Sequence, residues 1–253
     1  MPIYFIGLGL NNEKDITLNG LEAVKKCDIV YLENYTSISF ILNCAKENLE
    51  KLFGKKIFIA NRNLVEANDN EIIENAKTKN VAFLVCGDPL VATTHIDLFL
   101  RAKKEFIKCS VVHNASIITA VGITGLQIYK FGKITSIPLE NENIETPYSA
   151  LKDNLILGLH TLFLLDLNPE EDKFLSVNSA IRYLLKVELK RNERIFSEKT
   201  FCIGCARIGS KSQIIKYGTA KDLLKFNFGE PVHCLIVPGK LHFMEETALE
   251  LWK

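Results

Sequence analysis

Val81-Ala82-Phe83-Leu84-Val85 runs without a polar interruption into Cys86-Gly87-Asp88-Pro89-Leu90. A short apolar run rich in β-branched and aromatic residues, closed by glycine and proline, predicts a strand buried on both faces. Such strands belong to parallel sheets covered by helices on either side. Residues 3–6, 29–32 and 57–60 are runs of the same kind, and residues 110–113 predict one more strand. Parallel neighbours need helical crossovers. One crossover is predicted from Thr17, a good N-cap, with Leu18, Leu21 and Val24 facing inward. Residues 1–113 therefore predict a doubly wound α/β domain with a mostly parallel sheet.

Beyond Asn114 the pattern changes. Pro138 to Pro147 is polar and acidic (Glu140, Glu142, Glu145) and predicts a surface loop. Thr161–Leu165 predicts a strand. Ser176 can cap a helix whose Val177, Ala180, Ile181, Leu184 and Leu185 face inward. Residues 202–206, 214–217 and 234–237 predict further strands, some of them antiparallel. Residues 114–253 thus form a second α/β domain with a mixed sheet.

The 253 residues are enough for two such cores. The formal net charge of +1 argues against a nucleic-acid partner, because proteins that grip phosphate backbones carry a basic excess. No apolar run approaches the roughly 18 residues that span a bilayer. The opening Met1-Pro2-Ile3-Tyr4 lacks the basic start of a signal peptide, so the cytosol is expected. Seven scattered cysteines suit a reducing compartment, which leaves the sequons at Asn34 and Asn114 without significance.

Several segments can carry chemistry. Gly7-Leu8-Gly9-Leu10 follows the first strand, where glycine lets backbone approach a ligand. The dinucleotide fingerprint needs a third glycine where this chain has Asn12, and a tight turn explains the pair equally well. Gly87-Asp88-Pro89 leaves a buried strand at its carboxyl end, where open α/β sheets bind ligands; Asp88 is either a ligand contact or a turn residue. Val91-Ala92-Thr93-Thr94-His95 predicts the start of a helix, capped by Thr93 or Thr94. Asn114-Ala115-Ser116-Ile117 either offers backbone amides to a ligand or connects the domains. Cys202-x-x-Cys205 lies in a predicted strand, so its thiols point to opposite faces and no metal site is expected. His233 and His242 flank the last strand, as ligand contacts or as packed histidines. Composition and spacing reach a two-domain α/β ligand-binding protein and no further.

The motif strings go further. Gly87-Asp88-Pro89-Leu90-Val91-Ala92-Thr93-Thr94-His95 and Tyr129-Lys130-Phe131-Gly132 resemble the diphthine synthases, a group of the tetrapyrrole-methylase-like fold. So do Tyr4 to Leu10, Asp15-Ile16-Thr17, His113 to Ile117, Ala120-Val121-Gly122, His160-Thr161-Leu162 and Val237 to His242. The resemblance runs almost end to end. It implies two α/β domains with S-adenosylmethionine in the cleft between them, and a homodimer. It places the cofactor contacts on Leu10, Asp88, Val91, Ser116, Ile117, Leu165, Ile208 and His233. It implies methylation of the 3-amino-3-carboxypropyl-histidine of elongation factor 2, with no nucleic acid, membrane or metal involved. No base is implied; His95, His113 and Glu33 are candidates by position.

Tyr31 to Ser37, His113 to Ile117 and Ser176-Val177-Asn178 resemble the version that adds four methyls and ends at a methyl ester. The compact length and Pro238 to His242 resemble the version that stops at three. The local strings point to four. Other readings are a dinucleotide-dependent oxidoreductase resting on Gly7-x-Gly9 and Glu33, a tetrapyrrole methylase, and a binding module that has lost activity. Asn12 argues against the first, and the Thr93-Thr94-His95 and Tyr129 to Gly132 strings against the second. The compatible residues at every contact position argue against the third.

Overall fold

A computed structural model of the chain describes residues 1–35, 46–67 and 71–253, the side chain of Glu170 aside. Thr36 and Ser37, which complete the Tyr31 string and the first sequon, lie outside the described residues. The chain forms two compact units, Met1–Ile117 and Ile118–Lys253.

The first unit is built on a parallel sheet of β1 (Pro2–Gly7), β2 (Ile29–Glu33), β3 (Ile57–Ala60), β4 (Val81–Val85) and β5 (Lys108–Val112), in the order β3-β2-β4-β1-β5. Alternate residues of β4 enter different cores. Val81, Phe83 and Val85 pack on one face with Ile3, Phe5, Leu98 and Ala102. Ala82 and Leu84 pack on the other with Ile6, Val24, Leu32 and Leu49. Burial on both faces is why the strand is apolar throughout rather than alternating.

The helix Leu18–Lys25 is capped as predicted, the Thr17 hydroxyl accepting from Gly20 N. Its inward face differs in part. Val24 is buried and Leu21 packs half-buried on the core as predicted, but Leu18 is 81% exposed, and Gly20 and Ala23 are buried in its place. Small residues let this helix lie close to the sheet. A Cβ at Gly20 would stand 3.1 Å from the Ile6 side chain, so the face carrying Leu18 turns away.

The second unit has a mixed sheet in the order β11-β10-β12-β7-β6. Its strands are β6 (Thr135–Ile137), β7 (Thr161–Leu165), β10 (Phe201–Ala206), β11 (Ile214–Thr219) and β12 (His233–Val237), with a small β8 (Leu167–Asn168) and β9 (Lys173–Phe174) hairpin outside it. Only β6 and β7 pair in parallel among the named strands of this sheet; the other neighbours are antiparallel. The helix Val177–Arg191, capped by Ser176, packs Val177, Ala180, Ile181 and Leu184 onto the sheet. Cys202 faces this core, while Cys205 lies on the other face of β10 in register with Cys234. The two thiols of the Cys-x-x-Cys motif therefore do not converge. Burial raises the Cys202 thiol, and a hydrogen bond with Cys234 and then burial raise Cys205.

A buried polar network ties the ends of this unit together. Glu245 accepts from Gln127 N (2.9 Å), His242 N (2.8 Å) and His160 Nε2 (3.0 Å), and pairs with Lys130. Gly239 N donates to His160 Nδ1 at 2.9 Å, so the ring proton sits on Nε2 and points to Glu245. Burial by itself would raise the Glu245 carboxyl. Lys130, the two amides and His160 outweigh it and hold the carboxyl at about 2. A depressed folded value means stability that is complete above the ordinary carboxylate range near 4.5 and is lost as pH falls toward 2. Glu245→Gln is expected to destabilise the protein by about 3 kcal/mol at neutral pH, since Lys130 loses its buried partner. In urea melts followed against pH, the gap between variant and wild type should narrow as pH drops from 4.5 toward 2; a gap independent of pH would contradict the ionic role.

Candidate functional site

β1, β4 and β5 are parallel neighbours, so the loops leaving their carboxyl ends emerge side by side. The first two loops touch through backbone. Gly9 N donates to Gly87 O (3.2 Å) and Gly87 N to Gly9 O (2.7 Å). Space is short in the first loop: a Cβ at Gly7 would lie 2.5 Å from Gly87 O and 2.8 Å from the Asn114 Cβ, and one at Gly9 2.6 Å from the Asp15 Cβ. Gly87 also sits at φ +74°, in the left-handed region glycine favours. These glycines serve loop-to-loop contact, which explains a Gly-x-Gly without the rest of a dinucleotide fingerprint.

Asp88 is 4% exposed. One carboxylate oxygen accepts from His113 Nδ1 at 2.7 Å and Asn114 N at 3.2 Å, and the other accepts from Leu90 N at 3.0 Å. The aspartate thereby links the β4 loop to the β5 loop. Asn114 completes the bracket, its Nδ2 donating to Gly7 O and Asp15 O, both at 2.9 Å. Leu10 and Val91 are half-buried on the first two loops, Ser116 is buried after β5, and Ile117 ends the unit.

The structure separates the three candidate bases. Glu33 is buried at the end of β2 and accepts from Tyr35 N at 2.7 Å. His95 is fully buried against the rings of Phe83 and Tyr35, and its Nδ1 donates to Pro89 O at 3.1 Å. Burial lowers its ring to about 4, so it stays neutral and holds the Gly-Asp-Pro loop in place. His113 alone of the three is open to solvent: its side chain is 70% exposed, and with Nδ1 on Asp88 its Nε2 faces outward.

The predicted helix opening at Val91 is not formed. Ala92 at φ +56° breaks the right-handed run, and the helix starts at Ile96 with no side-chain cap. Thr93 donates instead to Pro89 O (2.9 Å) and Thr94 to Glu66 (3.3 Å).

In the second unit, Leu165, Ile208 and His233 share one end of the sheet. Leu165 closes β7 and His233 opens the antiparallel β12 beside it. Ala206, in register with His233, closes β10 two residues before Ile208. His233 Nε2 donates to Glu230 O at 3.0 Å, which leaves Nδ1 a bare acceptor, buried and without a partner. Burial holds the ring below the usual imidazole range.

Residues 2–224 match the family described as Tetrapyrrole (Corrin/Porphyrin) Methylases. A diphthine synthase of Methanocaldococcus jannaschii is 48% identical over 248 residues, 96% of each chain. A "Probable diphthine methyl ester synthase" of Arabidopsis thaliana is 48% identical over 271 residues, covering 99% of this chain and 98% of the relative. The chain belongs to the diphthine synthase family. A crystal structure of a diphthine synthase superposes with TM-score 0.89 at 37% identity, over 100% of this chain and 96% of that one.

Membership makes the chain a methyltransferase and sets aside the oxidoreductase reading, whose acidic residue Glu33 is bonded inside the protein. Several of the strings that resemble diphthine synthases meet one another through hydrogen bonds and close backbone contact. Gly7, Gly87, Asp88 and Asn114 interlock, and Lys130, His160, Gly239 and His242 surround Glu245. Two residues that spacing does not reveal are Asn114 as a bracket and Glu245 as a hub, because their partners are distant in sequence. Asn114→Ala is expected to destabilise the first unit by about 2 kcal/mol, leaving the Gly7 and Asp15 carbonyls without their donor. A urea midpoint identical to wild type would show that the bracket carries no load.

Proposed function

We propose that this methyltransferase uses S-adenosylmethionine to methylate the 3-amino-3-carboxypropyl-histidine of elongation factor 2 in diphthamide biosynthesis. It transfers four methyls, giving the methyl ester, and it acts as a homodimer in the cytosol. The observation that carries this reading is the 48% identity to a diphthine synthase over 96% of the chain and to a probable diphthine methyl ester synthase over 99% of it.

The residues fit such a cofactor. His233 Nδ1 is a buried acceptor still lacking a donor, and Leu10, Val91, Ile117, Leu165 and Ile208 offer apolar surface. Asp88 and Ser116 supply polar groups on the first unit. When bound, S-adenosylmethionine supplies a methyl made electrophilic by its sulfonium.

The protein's task is alignment and proton removal. Alignment demands a rigid frame. Asp88, fixed by three donors, and the backbone pairing of Gly9 with Gly87 provide one. The acceptor amine must be neutral to react, and the first two methylations each release a proton. His113 serves as the base: Asp88 orients it through Nδ1, and Nε2 takes the proton. The fourth transfer goes to a carboxylate oxygen, a weaker nucleophile already free of protons, and requires the acceptor to shift pose. Support for four methyls comes from the His113 to Ile117 and Ser176 to Asn178 strings and from the described part of the Tyr31 string. The exposed apolar side chains of Tyr129, Phe243 and Met244, beside Lys130 and Glu245 in the chain, support self-association.

No helix among the described residues is long and apolar enough to cross a membrane. The formal charge of +1 likewise favours a protein substrate over nucleic acid.

Incubating elongation factor 2 that carries the unmethylated precursor with this protein and S-adenosylmethionine is expected to add four methyls by intact mass at neutral pH. A stable product with three methyls would refute the ester while leaving methyl transfer in place; no added mass would refute the substrate. His113→Gln is expected to lower kcat about 100-fold at neutral pH, with partial recovery as rising pH deprotonates the amine without help. An unchanged kcat at neutral pH would remove His113 from the mechanism.

A further inference from the structure

Arg207 follows β10 with φ +50°, a left-handed conformation seldom adopted outside glycine, and its backbone N–H donates to Val232 O at 2.8 Å. Its guanidinium makes no ion pair with a carboxylate among the described residues. It is spent on backbone carbonyls. Nε and Nη2 donate to Ser212 O at 3.2 and 3.0 Å, and Nε also reaches Ser212 Oγ at 3.2 Å. Nη1 donates to Phe228 O at 3.0 Å and to Glu230 O. Ser212 lies in the turn between β10 and β11, and residues 228–230 precede β12. One side chain therefore joins two segments that nothing in the sequence brings together.

These segments carry two of the residues assigned above to the cofactor. Ile208 is the next residue after Arg207. His233 Nε2 donates to Glu230 O, the carbonyl that Arg207 also holds. That shared acceptor fixes the imidazole and turns the partnerless Nδ1 in one direction. A planar fork with five donors suits this arrangement, and a lysine ammonium cannot reproduce it.

We propose that Arg207 is a positioning residue for cofactor binding, clamping the β10–β11 turn to the segment before β12 so that Ile208 and His233 meet the cofactor in a single arrangement. The inference rests on the reading of those two residues as cofactor contacts. Arg207 touches no reacting atom, so its loss weakens binding of the cofactor and leaves the chemical step alone.

The test compares wild type with Arg207→Lys, which keeps the charge and removes the fork. S-adenosylhomocysteine is titrated by calorimetry, and kcat and both KM values are measured with elongation factor 2. The expected result is a Kd for S-adenosylhomocysteine and a KM for S-adenosylmethionine each raised about 10-fold or more, with kcat and the KM for elongation factor 2 unchanged. A purely structural arginine would lower the melting temperature without this split, and equal Kd values would overturn the proposal. Should the variant not fold, hydrogen exchange on wild type decides. Adding S-adenosylhomocysteine should slow amides 208–213 and 228–233 together, and protection of one segment without the other would overturn the clamp. Wild type that binds no S-adenosylhomocysteine at all would instead refute the cofactor reading itself, and the clamp with it.

Discussion

A carboxylate taken out of water has to be surrounded by donors, and in this protein the donors come from far along the chain. Glu245 draws on residues 127, 130, 160 and 242. Glu188 accepts from the backbone amides of Arg194, Ile195 and Phe196 and from the Tyr148 hydroxyl at 2.6 to 2.8 Å. Burial opposes ionisation there too, and the four donors overcome it to hold the carboxyl at about 2. Asp88 likewise collects its donors from two places, Leu90 N in the loop beyond β4 and His113 Nδ1 and Asn114 N in the loop beyond β5. Each carboxylate is satisfied in one arrangement of its surroundings, so each selects that arrangement over other packings of the same apolar residues.

That requirement matters for methyl transfer. Displacement at a sulfonium carbon needs atoms in line more than it needs strong acid or base chemistry, so the protein's contribution is a frame that does not drift. The loops of the first unit supply one by backbone pairing and by the Asp88 and Asn114 bracket. Arg207 performs the corresponding work in the second unit with carbonyls in place of a carboxylate. Of the two histidines beside the Gly-Asp-Pro loop, His113 is exposed and bonded to Asp88, while His95, in the same motif string as Asp88, is neutral and structural.

The strands were legible for a simple reason. β3, β4 and β7 coincide with their predicted bounds because runs of apolar residues ended by polar or turn-forming ones admit little else. The two local misreadings have equally local causes. Leu18 looks inward on a helical wheel with Leu21 and Val24, yet the close approach at Gly20 leaves it in solvent while the other two keep to the core. Thr93 and Thr94 look like caps, yet Ala92 in the left-handed region delays the helix and gives both hydroxyls other acceptors.

The sequence by itself determined the parallel and mixed sheets, the strand-end loops and, through its motif strings, the family. Apolar periodicity and short contiguous motifs are properties of neighbouring residues, and they can be read without knowing where the chain goes next. Only the tertiary structure decided which polar groups meet. Asn114 reaches Gly7, Glu245 reaches Lys130 and His160, and Arg207 reaches the carbonyls of Phe228 and Glu230. These pairings are set by strand order and loop path, and a hydrogen bond between residues a hundred positions apart leaves no trace in the spacing of either one.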